Sequence, residues 1–462
     1  MGRIAALSAA CGDQITWHLA PAANQAHGDD NSVMHSTIKQ DKLGDGRLVD
    51  QLKRNIPLTT SVAARTAAFS ALGIMTQLHL GELGASRFWI GMSTTLAWGA
   101  IMLFSQFWGA VSDAVLRRKT VILLAAAGST LMTLILVLGH SIPSVLIGRF
   151  LIEGFGAGLP PATMALLSER GGADTRGQRM TVFTTSQAFG LLTGSVLGGF
   201  LSTALPFQLG FLMITGVSSV AVLSAALVPS AAGPVRNPTM GWRALLRKTL
   251  PSLNVVKNDP CAAEHGLINL YLGIVLRKAG IVGIYGLLMV FLRDARDMSP
   301  FVSGSLSALN PAAQALAMPL WGRAADRFSR KRVFLAGYAL SLLVPLLMLF
   351  STSVYPLVAA FIVLGVGFAG FITGVTTFIG DIAPKEREGE LMGLIKVSQG
   401  FGGIIGPAVA GVVSAPSVGD YGGMFVAMAG LILAGLIVTA VGTRDSRPKG
   451  RKESVPCPAW PD

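Results

Sequence analysis

The sequence predicts an all-α membrane protein: twelve transmembrane helices in two pseudo-symmetric six-helix bundles. Three observations carry that prediction. Of 462 residues, 51% are hydrophobic and only 13% charged, against roughly 25% charged in soluble domains. The apolar residues gather into runs of about 20, the length that crosses a hydrocarbon core of ~30 Å. The second half of the chain also repeats the first at spaced, chemically distinctive positions.

The runs fall at 57–79, 89–108, 119–139, 143–167, 179–201, 207–228, 266–292, 301–321, 333–351, 355–380, 391–413 and 421–441. Arg277 and Lys278 interrupt the seventh, so that helix is expected to begin near them. Residues 1–56 read as a disordered cytoplasmic extension, 57–229 as the first bundle, 230–265 as a cytoplasmic linker, 266–441 as the second bundle and 442–462 as a cytoplasmic tail. The linker contains Pro229 at its edge, then Pro234, Pro238, Pro251 and Pro260 among basic residues, the composition of a solvated connection. The 55 glycines suit close approach of packed membrane helices.

Orientation follows from the cations, because positively charged loops resist translocation. Most of the 37 Lys and Arg lie in the tails and alternate loops, while Arg87, Arg293 and Arg296 occupy the opposite ones. Both termini are therefore expected in the cytoplasm, with the protein in the plasma (inner) membrane. The net charge of +13 does not form a stripe or face, which excludes a nucleic-acid partner. Cys11, Cys261 and Cys457 have no metal-ligand spacing and form no disulfide framework. The six His are scattered, so neither a metal site, a cofactor nor an enzyme's catalytic cluster is expected. A channel would want a charged ring or symmetric filter, and none is evident.

When Trp108-Gly109 is laid on Trp321-Gly322, Asp113 falls on Asp326 and the triplet Arg117, Arg118, Lys119 falls on Arg330, Lys331, Arg332. The same shift pairs Ser86, Phe88 and Gly91 with Ser299, Phe301 and Gly304. One residue less pairs Ser186-Gln187 and Phe189-Gly190 with Ser398-Gln399 and Phe401-Gly402, and Gly194 and Gly199 with Gly406 and Gly411. Two parallel six-helix repeats with a binding site between them are a recurrent transporter architecture. Asp113 and Asp326 each end a span and precede cations, so each can clasp a helix end to an Arg or Lys.

Over nearly all of residues 57–441 the sequence resembles the major facilitator superfamily. "WGAVSDAVLRRK" is similar to that family's loop 2–3 signature, and "WGRAADRFSRKR" to its loop 8–9 counterpart. The resemblance implies a cytoplasmic gate of Gly109, Asp113, Arg117, Arg118, Lys119, Gly322, Asp326, Arg330, Lys331 and Arg332. Glu169 and Asp381 would join it, with Arg176 as a partner. "GRFLIEGFGAG" resembles the family's motif B, with Glu153-Gly154 one step later than the usual Gln-Gly. Gly190 to Gly199 resembles the antiporters' motif C, except that Ser195 stands where Pro is expected; Gly406-Pro407 occupies the equivalent place in the second half.

A charge at mid-membrane costs about 2.5–3.5 kcal/mol on insertion scales, so each one asks for a reason. Arg149 and Glu153 share a helix face at i,i+4, either as the proton-coupling pair or as a static ion pair. Lys396 either snorkels to the interface or meets a substrate's negative group. Arg65 and Lys278 are repeat-equivalent, and either snorkel or form an anion-binding pair. Gln77, Gln187, Asn310, Gln314 and Gln399, with Gln106, are uncharged candidates for a cavity wall or for bonds between helices. Pro160-Pro161, Pro311 and Pro319 are expected to bend their helices.

Together these features point to a secondary active transporter that moves a small solute by alternating access, with protons as coupling ion since no ATP-binding loop is present. Drug or metabolite efflux by a functional monomer is the leading expectation. The alternatives are proton-coupled uptake of a small organic anion and a non-transporting membrane sensor.

Overall fold

The computed structural model describes residues 30–114, 116–169, 176–229, 265–383, 388–415 and 420–445. Thirteen helices run through them: α1 (Asp30–Glu82), α2 (Arg87–Ala114), α3 (Arg118–Leu138), α4 (Ile142–Gly156), α5 (Leu159–Glu169), α6 (Arg176–Ala204), α7 (Phe207–Leu227), α8 (Leu267–Asp294), α9 (Pro300–Arg327), α10 (Arg330–Leu349), α11 (Val354–Ile382), α12 (Glu388–Val413) and α13 (Tyr421–Gly442). The part of α1 before Arg54 belongs to a unit of its own, and residues from Arg54 onward form another, which holds every candidate site residue. Nearly all of the 230–265 linker, residues 1–29, the tail beyond Asp445 and all three cysteines lie outside the described residues.

Local chemistry accounts for three departures from the expected boundaries. Residues 30–56, expected to be disordered, are helical; no proline interrupts the sequence between Asn31 and Ile56. The fourth span is two helices, α4 and α5, divided at Ala157-Gly158 just ahead of Pro160-Pro161, whose rings cannot be accommodated by a preceding helical turn. The seventh span starts at Leu267, not near Arg277. Its cap Gly266 has φ 68°, and a Cβ there would meet the Gly442 carbonyl, so only glycine lets α8 begin against the end of α13. Pro311 and Pro319, by contrast, sit inside an unbroken α9.

Among the described residues, eight segments are long and apolar enough to cross a membrane: α2, α3, α4 with α5, α7, α8, α10, α11 and α13. The remaining expected spans fall on α1, α6, α9 and α12. Three of these pack face to face with a helix of the other sequence half, α6 on α9 and α12 on α2. A helix that gives one face to protein needs fewer apolar side chains for lipid, which is why hydropathy alone scores them lower.

Within the first half α3 packs on α4 and α7, and α2 on α4; within the second, α10 and α9 pack on α11, and α8 on α12 and α13. The halves meet at two repeat-related crossings. A Cβ on Gly91 would lie 2.5 Å from the Pro407 carbonyl oxygen and 3.3 Å from the Gly411 Cα. A Cβ on Gly304 would collide with the Ser195 carbonyl oxygen and lie 2.9 Å from the Gly199 Cα. Gly91 and Gly304 are one repeat pair, Gly199 and Gly411 another, so the same backbone contact is made twice with the roles exchanged.

Candidate functional site

Both crossings lie toward the helix ends opposite the basic triplets. Around them Arg87 Nη1 donates to the Ser414 carbonyl (2.6 Å), Thr95 Oγ1 to the Ile404 carbonyl (3.0 Å) and Phe301 N to Thr203 Oγ1 (3.0 Å). Gln77 Nε2 donates to the Tyr285 carbonyl (2.9 Å) and its Oε1 accepts from Met289 N (3.2 Å), tying α1 to α8. Deeper in, Trp98 packs on Gly403 and Met102 on Gly400. Beyond them, among the described residues, a Cβ added at Gly109, Gly322, Gly389 or Gly393 would meet nothing within 4 Å. Among the described residues, the glycine contacts between the halves therefore gather toward the end away from the triplets, and the four glycines nearer the triplets make none.

At the parted end each half carries a charged brace. Arg118, at the start of α3, pairs with Asp113 at the end of α2 and with Glu169 at the end of α5 (Nη2 to Oε1, 3.1 Å), and Arg118 Nη1 donates to Ser112 Oγ (2.9 Å). Arg330, at the start of α10, meets Asp326 of α9 (3.5 Å) and Asp381 of α11 (Nε to Oδ2, 3.0 Å). The structure brings together in each half the acidic residue of the signature, one cation of the triplet and the acidic residue from the following hairpin. The cations are not repeat-equivalent: Arg118 corresponds to Lys331. That lysine instead caps α13, its Nζ donating to the carbonyls of Ala440 (2.8 Å) and Thr443 (2.5 Å). Arg117 and Arg332 are exposed and Lys119 half-buried; the Arg176 side chain lies outside the described residues.

Inside the first half, Glu153 sits between two guanidiniums. Arg149 Nη1 reaches its Oε1 and Arg65 Nη2 its Oε2, both at 2.8 Å, with side chains 6%, 7% and 2% exposed for Arg149, Arg65 and Glu153. Arg65 therefore does not snorkel. It reaches from α1 to α4, and a Cβ on Gly156 would fall on its guanidinium, so that glycine makes room for it. One carboxylate serves two cations, and a buried charge persists only where it is paired. The sequence placed Arg149 and Glu153 on one helix face but offered Arg65 only as a snorkelling cation or as half of an anion-binding pair with Lys278. The available signal was an arginine inside an apolar run, 57–79, that holds no acidic residue.

The second half holds its cations differently. Arg277 donates from Nε and Nη2 to Ser341 Oγ (3.0 and 2.7 Å) and stacks 4.1 Å over the Phe371 ring. Lys278 lies 4.2 Å over the Trp98 ring of the opposite half. Lys396 is exposed between buried Ile395 and buried Val397.

The neutral candidates part company. Gln77 is buried with its amide committed to α8 backbone, so it fastens helices and does not line a cavity wall. Asn310 Nδ2 donates to Tyr285 Oη (2.8 Å), while its buried Oδ1 has no partner. Asn310 and Gln314 both face Gly365 of α11 through their backbones. Gln399 is buried and Gln187 half-buried. Ser195 Oγ lies 2.8 Å from Ser70 Oγ, joining α6 to α1.

The Major Facilitator Superfamily model matches residues 58–277 and 270–457. Among similar sequences are the Multidrug resistance protein MdtG of Enterobacter lignolyticus, 24% identical over 404 residues covering 85% of this chain and 93% of the relative, and that of Klebsiella pneumoniae, 23% identical over 404 residues covering 85% and 94%. Among solved structures, the nucleoside transporter NupG superposes with TM-score 0.67 at 15% identity, covering 84% of this chain and 98% of its own. The human organic anion transporter MFSD10 (TETRAN) gives TM-score 0.58 at 18% identity, covering 84% and 99%. These likenesses to solved structures concern the fold. With the family model spanning nearly all of the helical chain and both signature loops built into matching braces, this protein belongs to the Major Facilitator Superfamily and is a membrane transporter of that family.

Proposed function

We propose that the protein exports drug-like small molecules from the cell by proton-driven alternating access. Twelve crossings form two six-helix halves, residues 57–229 and 266–441, in the inner membrane with both termini cytoplasmic, and the functional unit is a monomer. The substrate class and direction rest on the similarity to the multidrug resistance proteins MdtG. The observation that supports alternating access is the uneven distribution of contacts: paired glycine crossings hold the halves together at the far end, while the glycines nearer the triplets meet nothing across from them. Because the triplets mark the cytoplasmic side, this conformation faces inward, ready to load from the cytoplasm.

Glu153 is the carrier of the coupling proton. A proton placed on it would leave Arg65 and Arg149 facing one another without an anion, so its arrival drives α1 and α4 apart. The braces on Arg118 and Arg330 each fix three helix ends within a half, so the halves rock as rigid bodies about the crossings.

The test is ethidium accumulation in inverted vesicles energised with an inside-acid pH gradient. Accumulation is expected with the intact protein, and its collapse when the gradient is dissipated. Gradient-independent accumulation would end the proton reading, and undiminished accumulation by Glu153→Gln would end the role given to that residue.

A further inference from the structure

We propose that Lys278 and Lys396, backed by the ring of Trp98, form a recognition site for the negative group of an organic-anion cargo. This site deepens the proposed transport function and rests on it.

The repeat supplies the first reason. Trp108 Nε1 donates to the Gly154 carbonyl and Trp321 Nε1 to the Val366 carbonyl, both at 3.0 Å. This matched pair of bonds sets α11 against α4 residue by residue, with Gly365 in the place of Glu153. Lys278 is the repeat counterpart of Arg65. In the first half, then, the buried cation meets a carboxylate built into the chain. In the second half the same position is glycine, and a Cβ on Gly365 would already collide with the Asn310 carbonyl and lie 2.8 Å from Ala313 Cβ. The second half keeps the cation and closes off the place of its anion.

Position supplies the second. Lys278 is about eleven residues into α8, on the order of 16 Å along the axis, too deep for its stem to carry the ammonium to either end. On α12, Lys396 precedes Gly400, Gly403, Pro407 and Gly411 at steps of three and four, so it continues the stripe that packs on α2. It lies one turn beyond the contact of Gly400 with Met102. Its exposed side chain therefore stands on the face of α12 turned toward α2 and not on the face turned toward lipid.

Charge supplies the third. Lys278 stands in the field of both Arg277 and Lys396, and among the described residues neither lysine forms an ion pair. Like charges held together without a counter-charge are relieved by a ligand that brings one. The surface beside them, Trp98 and Met102, is apolar, which suits a carboxylate or sulfonate on an apolar body over a free inorganic ion.

The experiment uses two probes of the same ring size and opposite charge, 2-naphthoate and N-methylquinolinium, with the full-length protein in nanodiscs. Naphthoate is expected to raise the Tm of the intact protein and of Lys278→Arg by several degrees. The shift should vanish in Lys278→Gln and in Lys396→Gln, whereas any N-methylquinolinium shift should be unchanged by either substitution. Because Lys396 is exposed, its variant tests the site even if Lys278→Gln does not fold. A naphthoate shift equal in the intact protein and the Lys396→Gln variant would overturn the proposal, as would no naphthoate shift in the intact protein or an N-methylquinolinium shift lost in the same variants. Flux in proteoliposomes under a pH gradient separates the two readings. Ethidium moved without any naphthoate response sinks the anion site alone, whereas naphthoate binding with neither probe moved sinks the transport on which the cargo assignment rests.

Discussion

Gly199 and Gly304 approach so closely that a Cβ on the first would stand 3.0 Å from the Cα of the second, and the reverse 2.9 Å. At the repeat-related crossing a Cβ on Gly91 would stand 3.3 Å from the Gly411 Cα, and one on Gly411 would meet the Phe88 Cα at 3.0 Å. Valine at Gly304 or Gly91 adds volume where backbone meets backbone, an overpacking cost of about 1–3 kcal/mol, and that cost falls on the zipped conformation only. Each variant is expected to fold, to lose at least tenfold in transport, and to expose a cysteine placed near the far end of α9 to a membrane-impermeant reagent. Normal flux by both variants would show that the crossings do not have to close.

Glu153 is the single anion between two buried guanidiniums. Glu153→Gln is expected to lower stability by roughly 3–5 kcal/mol, the usual consequence of stranding a buried charge. Removing one of the stranded cations should recover part of it, so Glu153→Gln with Arg65→Gln is expected to melt above Glu153→Gln alone. Thermal unfolding in detergent of the intact protein, the two single variants and the double variant reads the coupling directly, and additive losses would mean the side chains do not form one unit.

The Arg118 brace is solvent-exposed at its acidic ends, Asp113 at 61% and Glu169 at 49%. Exposed pairs contribute about 0.2–1 kcal/mol. Arg118→Ala is therefore expected to change stability by less than ~1 kcal/mol while reducing flux severalfold. Arg118→Lys should restore flux only in part, because an ammonium cannot present a planar fork to two carboxylates. A large fall in Tm with flux kept would assign the brace to stability instead.

Orientation is open to labelling. In a background with Cys11, Cys261 and Cys457 replaced by serine, cysteines at the exposed positions Arg117 and Arg332 are expected to react only after the membrane is permeabilised. Those at Ser141 and Thr352, exposed in the opposite turns, should react in intact cells. The inverse pattern would reverse the topology.

Much of this was legible in the chain. Apolar runs gave the helices, and the repeat identified Gly91, Gly304, Gly199 and Gly411 before any contact was known, because close packing of helices selects glycine wherever it recurs. Paired carboxylates and cations at the span ends were visible for the same reason. Where the sequence reading went astray, the cause was partnership between distant segments. Arg65 was expected to snorkel or to bind an anion until α1 was laid beside α4, Gln77 stood open between a cavity wall and a bond between helices until α8 took its amide, and helix α8 looked interrupted by charges that α2, α10 and α11 in fact receive.

Periodicity and charge bias are local properties, so the helices, their twofold repetition and the family could be read from the chain alone. Which cation meets which anion, and which is left without one, depends on distances between helices that no spacing along the chain encodes. Only the folded arrangement settles those partnerships, because the same frame encloses a carboxylate in one half and a glycine in the other.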